Sequence, residues 1–420
     1  MKVLVAHPGK QHSMQTAVAL HRNGALLQYI TTVYDKKGSL THTIRPLLKG
    51  KNRKKAAGRK SDAIPDELVT QFCEFQGLIL LLISRVPGLK KYWGRYNERI
   101  VKKFGLKVAK YAIQNKADAV IMYDSTCNYA FEYLEKYAPN IKRILDCSIS
   151  SRVSNKAIYE NDIKLSGDEK IKEEQAYLWA KNGVEPFYKE IRLSDYYLAP
   201  SQFVKESLIY AGAEQEKVLM VPYGVGTNFF VERSKQIKSK PLSLLYVGAI
   251  IRRKGIHHLL KVISMYTSSD VELYLAGAFS EDYDLYNQYK ECHNIHFLGF
   301  VTRDKIVQLY EESDCFVLPS LAEGLALVGL EAMATGLPII CSTNTGVNDL
   351  VENYKNGIVF DVSDDEALKS CIDWALANRD KLYDMGIAAK ETARGYTWDR
   401  YYANLYDKVF GCVQRRDTSS

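Results

Sequence analysis

No stretch of this sequence is apolar over the ~20 residues needed to cross a bilayer. The longest apolar run, Gly77 to Ile83, is far too short. No secretory signal is expected either: Met1-Lys-Val-Leu-Val-Ala-His-Pro-Gly9 reads as entering a short apolar strand at once, without a basic stretch and a long apolar core. Cysteine pairs are also lacking. The eight cysteines at 73, 127, 147, 292, 315, 341, 371 and 412 contain no CxxC spacing, which argues against both a zinc site and a disulfide framework. A reducing, cytoplasmic setting is the expectation, with peripheral contact at the inner membrane face as the form of any membrane association. No DxD element stands beside a plausible ligand set, and Ser363-Asp364-Asp365-Glu366 reads as a helix N-cap, so neither a metal nor a resident cofactor is expected.

What the sequence does have is an ordinary globular composition, 46% hydrophobic and 25% charged, spread over 420 residues. That length exceeds one compact core and makes two domains the natural division. Positive charge concentrates in Lys49 to Lys60, where seven of twelve residues are cationic. The stretch reads either as a solvated loop or as a surface for an anionic partner. Leu78-Ile-Leu-Leu-Leu-Ile83 and Leu89-Lys-Lys-Tyr-Trp93 follow it, a combination suited to anionic lipid headgroups. Nucleic acid is ranked lower, because no recognition motif accompanies the charge.

Strand and helix patterns alternate along the chain. Val3 to Ala6, Ala119 to Tyr123, Arg143 to Asp146 and Asp195 to Ala199 read as strands with helical stretches at about 97–115 and 128–137. A second cycle follows Val218 to Val225 and a polar linker at 231–241. Its strands are Leu244 to Val247, Val271 to Leu275, Ile295 to Leu298, Cys315 to Leu318 and Pro338 to Cys341. Such alternation predicts parallel sheets built from βαβ crossovers, hence an α/β chain with two Rossmann-like domains facing across a cleft. Ligands of open α/β sheets sit at the carboxyl ends of the strands.

One segment concentrates chemistry at such an end: Leu318-Pro-Ser-Leu-Ala-Glu-Gly-Leu-Ala-Leu-Val-Gly-Leu-Glu-Ala-Met-Ala-Thr-Gly-Leu-Pro-Ile-Ile340. It predicts strand, loop and helix, with the helix starting near Ala326 and Gly336 as its left-handed C-cap. A helix N-terminus offers unpaired N–H groups to phosphate. Glu323 precedes it, and Glu331 stands among Leu330, Ala332, Met333 and Ala334, where a solvated stripe is hard to draw. Carboxylates accept paired hydrogen bonds from vicinal hydroxyls, which sugars and ribose both carry.

These residues resemble the signature of the retaining glycosyltransferases of family 4, with the two-domain B-type fold, and Asn356-Gly-Ile-Val-Phe360 is similar to that family's continuation. The resemblance implies that Glu323 holds hydroxyls of a donor sugar, Glu331 the ribose hydroxyls of its nucleotide, and the backbone of Gly324 to Ala326 the diphosphate. It extends the donor site to Leu325, Leu327, Phe300 and Val301. A second similar piece, Tyr246-Val-Gly-Ala-Ile-Ile-Arg-Arg-Lys-Gly255, implies Gly248 and Lys254 as donor contacts. Ala249 stands where the family carries arginine, so either Arg252 or Arg253 is expected to supply that cation. Gly9 resembles the family's glycine turn on the opposite wall. His7, His12, Asp124 and Asp146 are acceptor candidates, with helix capping as the alternative for the two aspartates.

The implied division is 1–225 for the acceptor side, 226–395 for the nucleotide-sugar domain and 396–420 for a closing helix in which Trp398 is a packing anchor. The implied activity is transfer from a nucleotide-diphosphate sugar to a glycan, lipid-linked or other hydroxyl acceptor in cell-surface polysaccharide or glycolipid synthesis, through an oxocarbenium-like state. Two other readings stay open: an epimerase of similar fold, which turns over donor without acceptor, and an inactive glycan- or partner-binding homologue, against which both glutamates and Lys254 argue.

Overall fold

The computed structural model describes residues 1–9, 11–233 and 241–414. Most of the linker read at 231–241 therefore lies outside the described residues. The N-terminal sheet comprises β1 (Val3–Ala6), β2 (Leu26–Thr31), β3 (Val69–Gln71), β4 (Ala119–Tyr123), β5 (Lys142–Asp146), β6 (Tyr196–Ala199) and β7 (Val218–Met220). Its strands run parallel in the order β3-β2-β1-β4-β5-β6-β7, with Val3 opposite both Leu26 and Ala119. The C-terminal sheet comprises β8 (Leu242–Val247), β9 (Val271–Ala276), β10 (Ile295–Gly299), β11 (Cys315–Leu318), β12 (Ile339–Ser342) and β13 (Gly357–Phe360). It too is parallel, in the order β10-β9-β8-β11-β12-β13.

Each sheet reverses its strand order once, between β1 and β4 and between β8 and β11. Crevices form at such reversals because the following loops part in opposite directions. His7, Asp124, Gly248 and Glu323 all lie just beyond strands that flank the two reversals.

Side chains alternate across each strand, so both faces of a parallel sheet need cover. In the N-terminal lobe Leu4, Val120, Met122 and Leu145 pack with Phe104, Val108, Phe131 and Leu134 on one face. Val3, Val5, Ile121 and Ile144 belong to the other, whose apolar cluster continues through Tyr401 and Leu405 into the C-terminal core. The helix Trp398–Gln414 makes that connection by packing on the helix Ser13–Arg22. Tyr402 donates to Gln15 at 2.6 Å, and Trp398 packs against Tyr223, Tyr401 and Tyr402. Among the described residues no helix is long and apolar enough to cross a membrane.

Candidate active site

The loop after β11 brings the acidic signature to the lobe junction. Pro319 to Ala326 lead into the helix Leu327–Ala334, whose N-cap, Ala326, has no side chain to satisfy the first N–H groups. Gly336 closes the helix at φ 80°. Glu323 is buried, and its carboxylate accepts from Ser320 Oγ at 3.0 Å, pairs closely with Lys254 Nζ and lies 3.6 Å from Arg253 Nη1. Burial opposes its charge, yet Lys254 and Arg253 hold its pKa below the usual carboxylate range. For Lys254 burial prevails, and Arg253 beside it adds to the lowering. Two cations against one carboxylate leave an uncompensated positive charge in a desolvated place, which suits an incoming anion.

Local backbone geometry explains how Lys254 gets there. Gly248 follows β8, and the 3₁₀ turn Arg252–Lys254 ends on Gly255 at φ 68°. A side chain at Gly255 would meet the Pro319 carbonyl, so glycine lets the two loops touch. Within this turn the two arginines separate. Arg253 donates to the Ala322 carbonyl at 2.9 Å and faces Glu323. Arg252, 2% exposed, is engaged instead by Asp168 at 2.7 Å, Glu174 at 3.1 Å, Tyr283 and Asp284. This corrects the assignment of Arg252 to the donor site: its guanidinium ties the N-terminal lobe's Asp168 and Glu174 to the C-terminal lobe, and Arg253 is the arginine beside Glu323.

Glu331 lies on the following helix, half-buried. Burial pushes its carboxyl up to about 7, with Arg303 and a hydrogen bond from Tyr310 acting in the opposite direction. Leu325 and Ala326 are buried, Leu327 is partly buried, Phe300 stands exposed beyond β10 and Val301 packs on the C-terminal core.

Across the junction, His7, His12 and Asp146 collect around Tyr123. Both histidine rings meet the Tyr123 ring edge-on at 5.1 Å, and His12 Nε2 lies 3.0 Å from Asp146 Oδ2. Gly9 donates its N–H to His7 Nδ1 at 2.9 Å, while burial lowers the His7 pKa to about 4, so this imidazole is neutral at pH 7. Tyr223 adds its hydroxyl 3.2 Å from His12 Nε2. Asp124 is half-buried, its carboxyl raised by desolvation and by Asp146 against the opposing pull of Arg152 and His12, and Ser125 Oγ donates to it at 3.3 Å. Neither aspartate caps a helix: the helix Asn128–Tyr137 starts at Cys127 without a side-chain cap, and Ser151 caps the helix Arg152–Ser166. Asp364, by contrast, does cap the helix Asp365–Ala377, accepting from Ala367 N–H.

The lobes meet at the acidic loop itself. Ser201 Oγ donates to the Gly324 carbonyl at 2.6 Å, Ser150 N–H to the Glu323 carbonyl at 3.3 Å, and a Cβ on Gly324 would lie 1.9 Å from the Ser148 carbonyl. Among the described residues one group could gather metal ligands, Asp162, His257 and His258, and it sits elsewhere on the junction with its facing atoms hydrogen-bonded to one another.

Residues 229–392 match the family model described as Glycosyl transferases group 1. The match spans most of the C-terminal lobe and stops short of the N-terminal one. Relatives include an uncharacterized glycosyltransferase of Methanocaldococcus jannaschii, 30% identical over 40% of this chain and 44% of its own, and the sulfoquinovosyl transferase of Arabidopsis thaliana, 29% identical over 51% and 45%. The chain thus matches about half the length of these curated relatives. Solved structures extend the likeness to both lobes. Sucrose-phosphate synthase of Thermosynechococcus elongatus superposes with TM-score 0.66 at 16% identity, covering 98% of this chain and 99% of that one. Anabaena HepE in complex with UDP gives 0.62 at 15% identity over 98% and 100%. At these identities the likeness establishes the fold alone, two Rossmann-like lobes, in keeping with the sheet orders.

Proposed function

We propose that the protein is a retaining glycosyltransferase of family 4 that moves a sugar from a nucleoside diphosphate to a saccharide hydroxyl, without a metal cofactor, in cell-surface polysaccharide or glycolipid synthesis. The carrying observation is the buried Glu323–Lys254–Arg253 group, with its excess positive charge, below a helix start that no side chain caps. Lys254, Arg253 and the N–H groups at the start of the helix Leu327–Ala334 take the diphosphate, stabilising the negative charge that develops as the leaving group departs. Glu323, pinned by its cations, orients donor-sugar hydroxyls, and Glu331 accepts from the ribose. The structure of HepE with UDP-glucose supports a nucleotide-sugar donor for this architecture.

Because no side chain need act as a covalent nucleophile in this scheme, the protein's contribution is positioning and charge, with lobe closure assembling the site. The exposed Phe75, Leu82, Leu89 and Tyr92 beside the basic 49–60 stretch support a peripheral approach to anionic membrane.

A thermal-shift screen against nucleotide sugars tests the reading, because a ligand confined to the folded state raises Tm. One or a few donors are expected to respond, and Glu331→Gln is expected to weaken that response and abolish transfer. Unchanged transfer kinetics in Glu331→Gln would remove the ribose assignment.

A further inference from the structure

A pocket of about 840 Å³ opens in the N-terminal lobe, within the size range of small-molecule sites. It lies between the helices Trp93–Gln114, Asn128–Tyr137 and Glu185–Leu193, beside the loop that follows β4. Its chemistry is unusual at the floor. Glu190 lines it, is 1% exposed, accepts from Asn128 Nδ2 at 3.1 Å through one carboxyl oxygen and leaves the other without a partner. Asn128 Oδ1 and the nearby Asp124 Oδ1 are likewise buried without partners. Three orphaned oxygens in one place are costly unless a ligand with hydroxyl groups, which both donate and accept, satisfies them. Ser125, between Asp124 and the pocket, holds a left-handed backbone at φ 68°, the kind of local strain that clusters at binding sites.

The walls narrow the ligand class. Trp93, Tyr129 and Tyr177 offer aromatic surface. The cations are already committed, Lys189 to Glu132 at 2.9 Å and Arg152 to Ser125 Oγ at 2.6 Å and the Tyr177 ring. Glu98 and Glu185 add negative charge at the rim. An anionic ligand would find repulsion here, whereas an uncharged polyol finds acceptors below and rings beside it. Tyr177 also places the pocket relative to the proposed donor site. Its hydroxyl, raised by burial, feels Arg152 and Asp124 on the pocket side and Arg253 of the Glu323 group on the other.

We infer that this pocket is the acceptor subsite and takes an uncharged saccharide through its hydroxyl groups. The inference rests on the glycosyltransferase reading above. Burial, reinforced by Asp124, holds the Glu190 carboxyl at about 8, with the Ser125 backbone N–H and Arg152 acting against the rise, so below that pH it supplies the one hydroxyl donor on the floor. Asp124, Cys127, Cys147 and Arg152 are the ionisable groups that face it, and both thiols are pushed up well above their ordinary range by burial.

The test uses saturation-transfer NMR on the full chain with two probes, maltose and n-octyl β-D-maltoside below its micelle concentration. Saturation should reach the sugar protons of wild type. It should fall at least tenfold in Asn128→Ala and Tyr129→Ala, each checked for an unchanged fold by circular dichroism. Binding to wild type should decline as pH passes 8 and stay flat in Glu190→Gln, a profile that mere loss of packing would not produce. Response to both probes identifies a free saccharide acceptor, and response to the octyl glycoside alone identifies a lipid-borne one that also uses the exposed Leu89, Tyr92 and Trp93. No transfer to either probe, or equal transfer in wild type and both alanine variants, overturns the assignment. Failure of the donor reading shows separately, as a wild-type Tm that no nucleotide sugar moves.

Discussion

Asp162→Asn should destabilise the closed pair of lobes in a pH-dependent way. Asp162 belongs to the N-terminal lobe's helix Arg152–Ser166 and reaches His257 at 3.1 Å and His258 at 2.7 Å on the C-terminal lobe's helix Ile256–Ile263. Ser363 Oγ donates to the same carboxylate, and the other ring nitrogen of His258 lies 2.6 Å from Asp365, which Lys261 also holds. Burial alone would lower the His258 pKa, but its bonds to Asp162 and Asp365 hold it at about 9. A histidine raised in this way stabilises the fold fully below pH 6.5, and its contribution fades as pH climbs through 9. The rise from 6.5 to about 9 corresponds to about 3 kcal/mol. His257, lowered by burial, acts in the opposite sense as pH falls below 6.5, and Asp162, held far below the ordinary carboxylate value by the two histidines despite its burial, withdraws its share only in acid. Calorimetry at pH 6.5 and pH 10 reads the difference. Because Asp365 still holds His258 in the variant, about half of the His258 contribution, plus a hydrogen bond of about 1 kcal/mol, should be lost at pH 6.5, roughly 5–10 °C of Tm at ~2–4 °C per kcal/mol for units of this size. At pH 10, where His258 is neutral, a lost hydrogen bond of about 1 kcal/mol should remain, roughly 2–4 °C. Equal losses at both pH values would refute the reasoning.

The site makes further commitments. Lys254→Ala should lower kcat by roughly 10²–10³-fold, as loss of a preorganised charge does elsewhere, with a much smaller change in donor KM. Arg252→Met should act differently, costing about 2 kcal/mol of stability by denaturant titration, below the ~3–5 for breaking a fully buried pair because Asp284 is 34% exposed. If Arg252→Met left stability untouched and abolished chemistry, the clamp assignment would be wrong. Donor affinity measured by calorimetric titration should rise between pH 6 and 8 as Glu331, held at about 7, ionises and accepts ribose hydroxyls, and Glu331→Gln should flatten that profile. Gly324→Ala, whose methyl group would meet the Ser148 carbonyl, should open the lobes, seen as a larger radius of gyration in solution scattering and a lower kcat.

Much of this architecture is legible in the residues because buried parallel strands read as continuous apolar runs, as Ala119 to Tyr123 and Cys315 to Leu318 do. β2 escapes that reading because Gln28 interrupts Leu26 to Thr31. In the fold Gln28 is buried and donates to the Glu67 carbonyl and Thr70 Oγ1. β3, three residues at the sheet edge, carries too little pattern to find. Glu323 and Lys254 are legible as a pair since their motifs follow β11 and β8, adjacent strands at the order reversal. Spacing could not separate Arg252 from Arg253, because successive residues of a 3₁₀ turn point apart and only the partners decide which faces the cleft. Glu190 did leave a signal. Phe187, Glu190, Ile191 and Ser194 follow the i, i+3, i+4, i+7 stripe and are all buried, so an acid stands on an apolar helix face. Tyr223, inside the stretch Val218 to Val225, carries no such signal, and only the fold brings its hydroxyl to His12.

The most direct measurement is a crystal structure of the protein grown with a saturating nucleoside diphosphate. The account predicts phosphate density against Lys254, Arg253 and the first turn of the helix Leu327–Ala334, with the ribose hydroxyls on Glu331. Density for the nucleotide anywhere else, or none at a concentration that raises Tm, would contradict it.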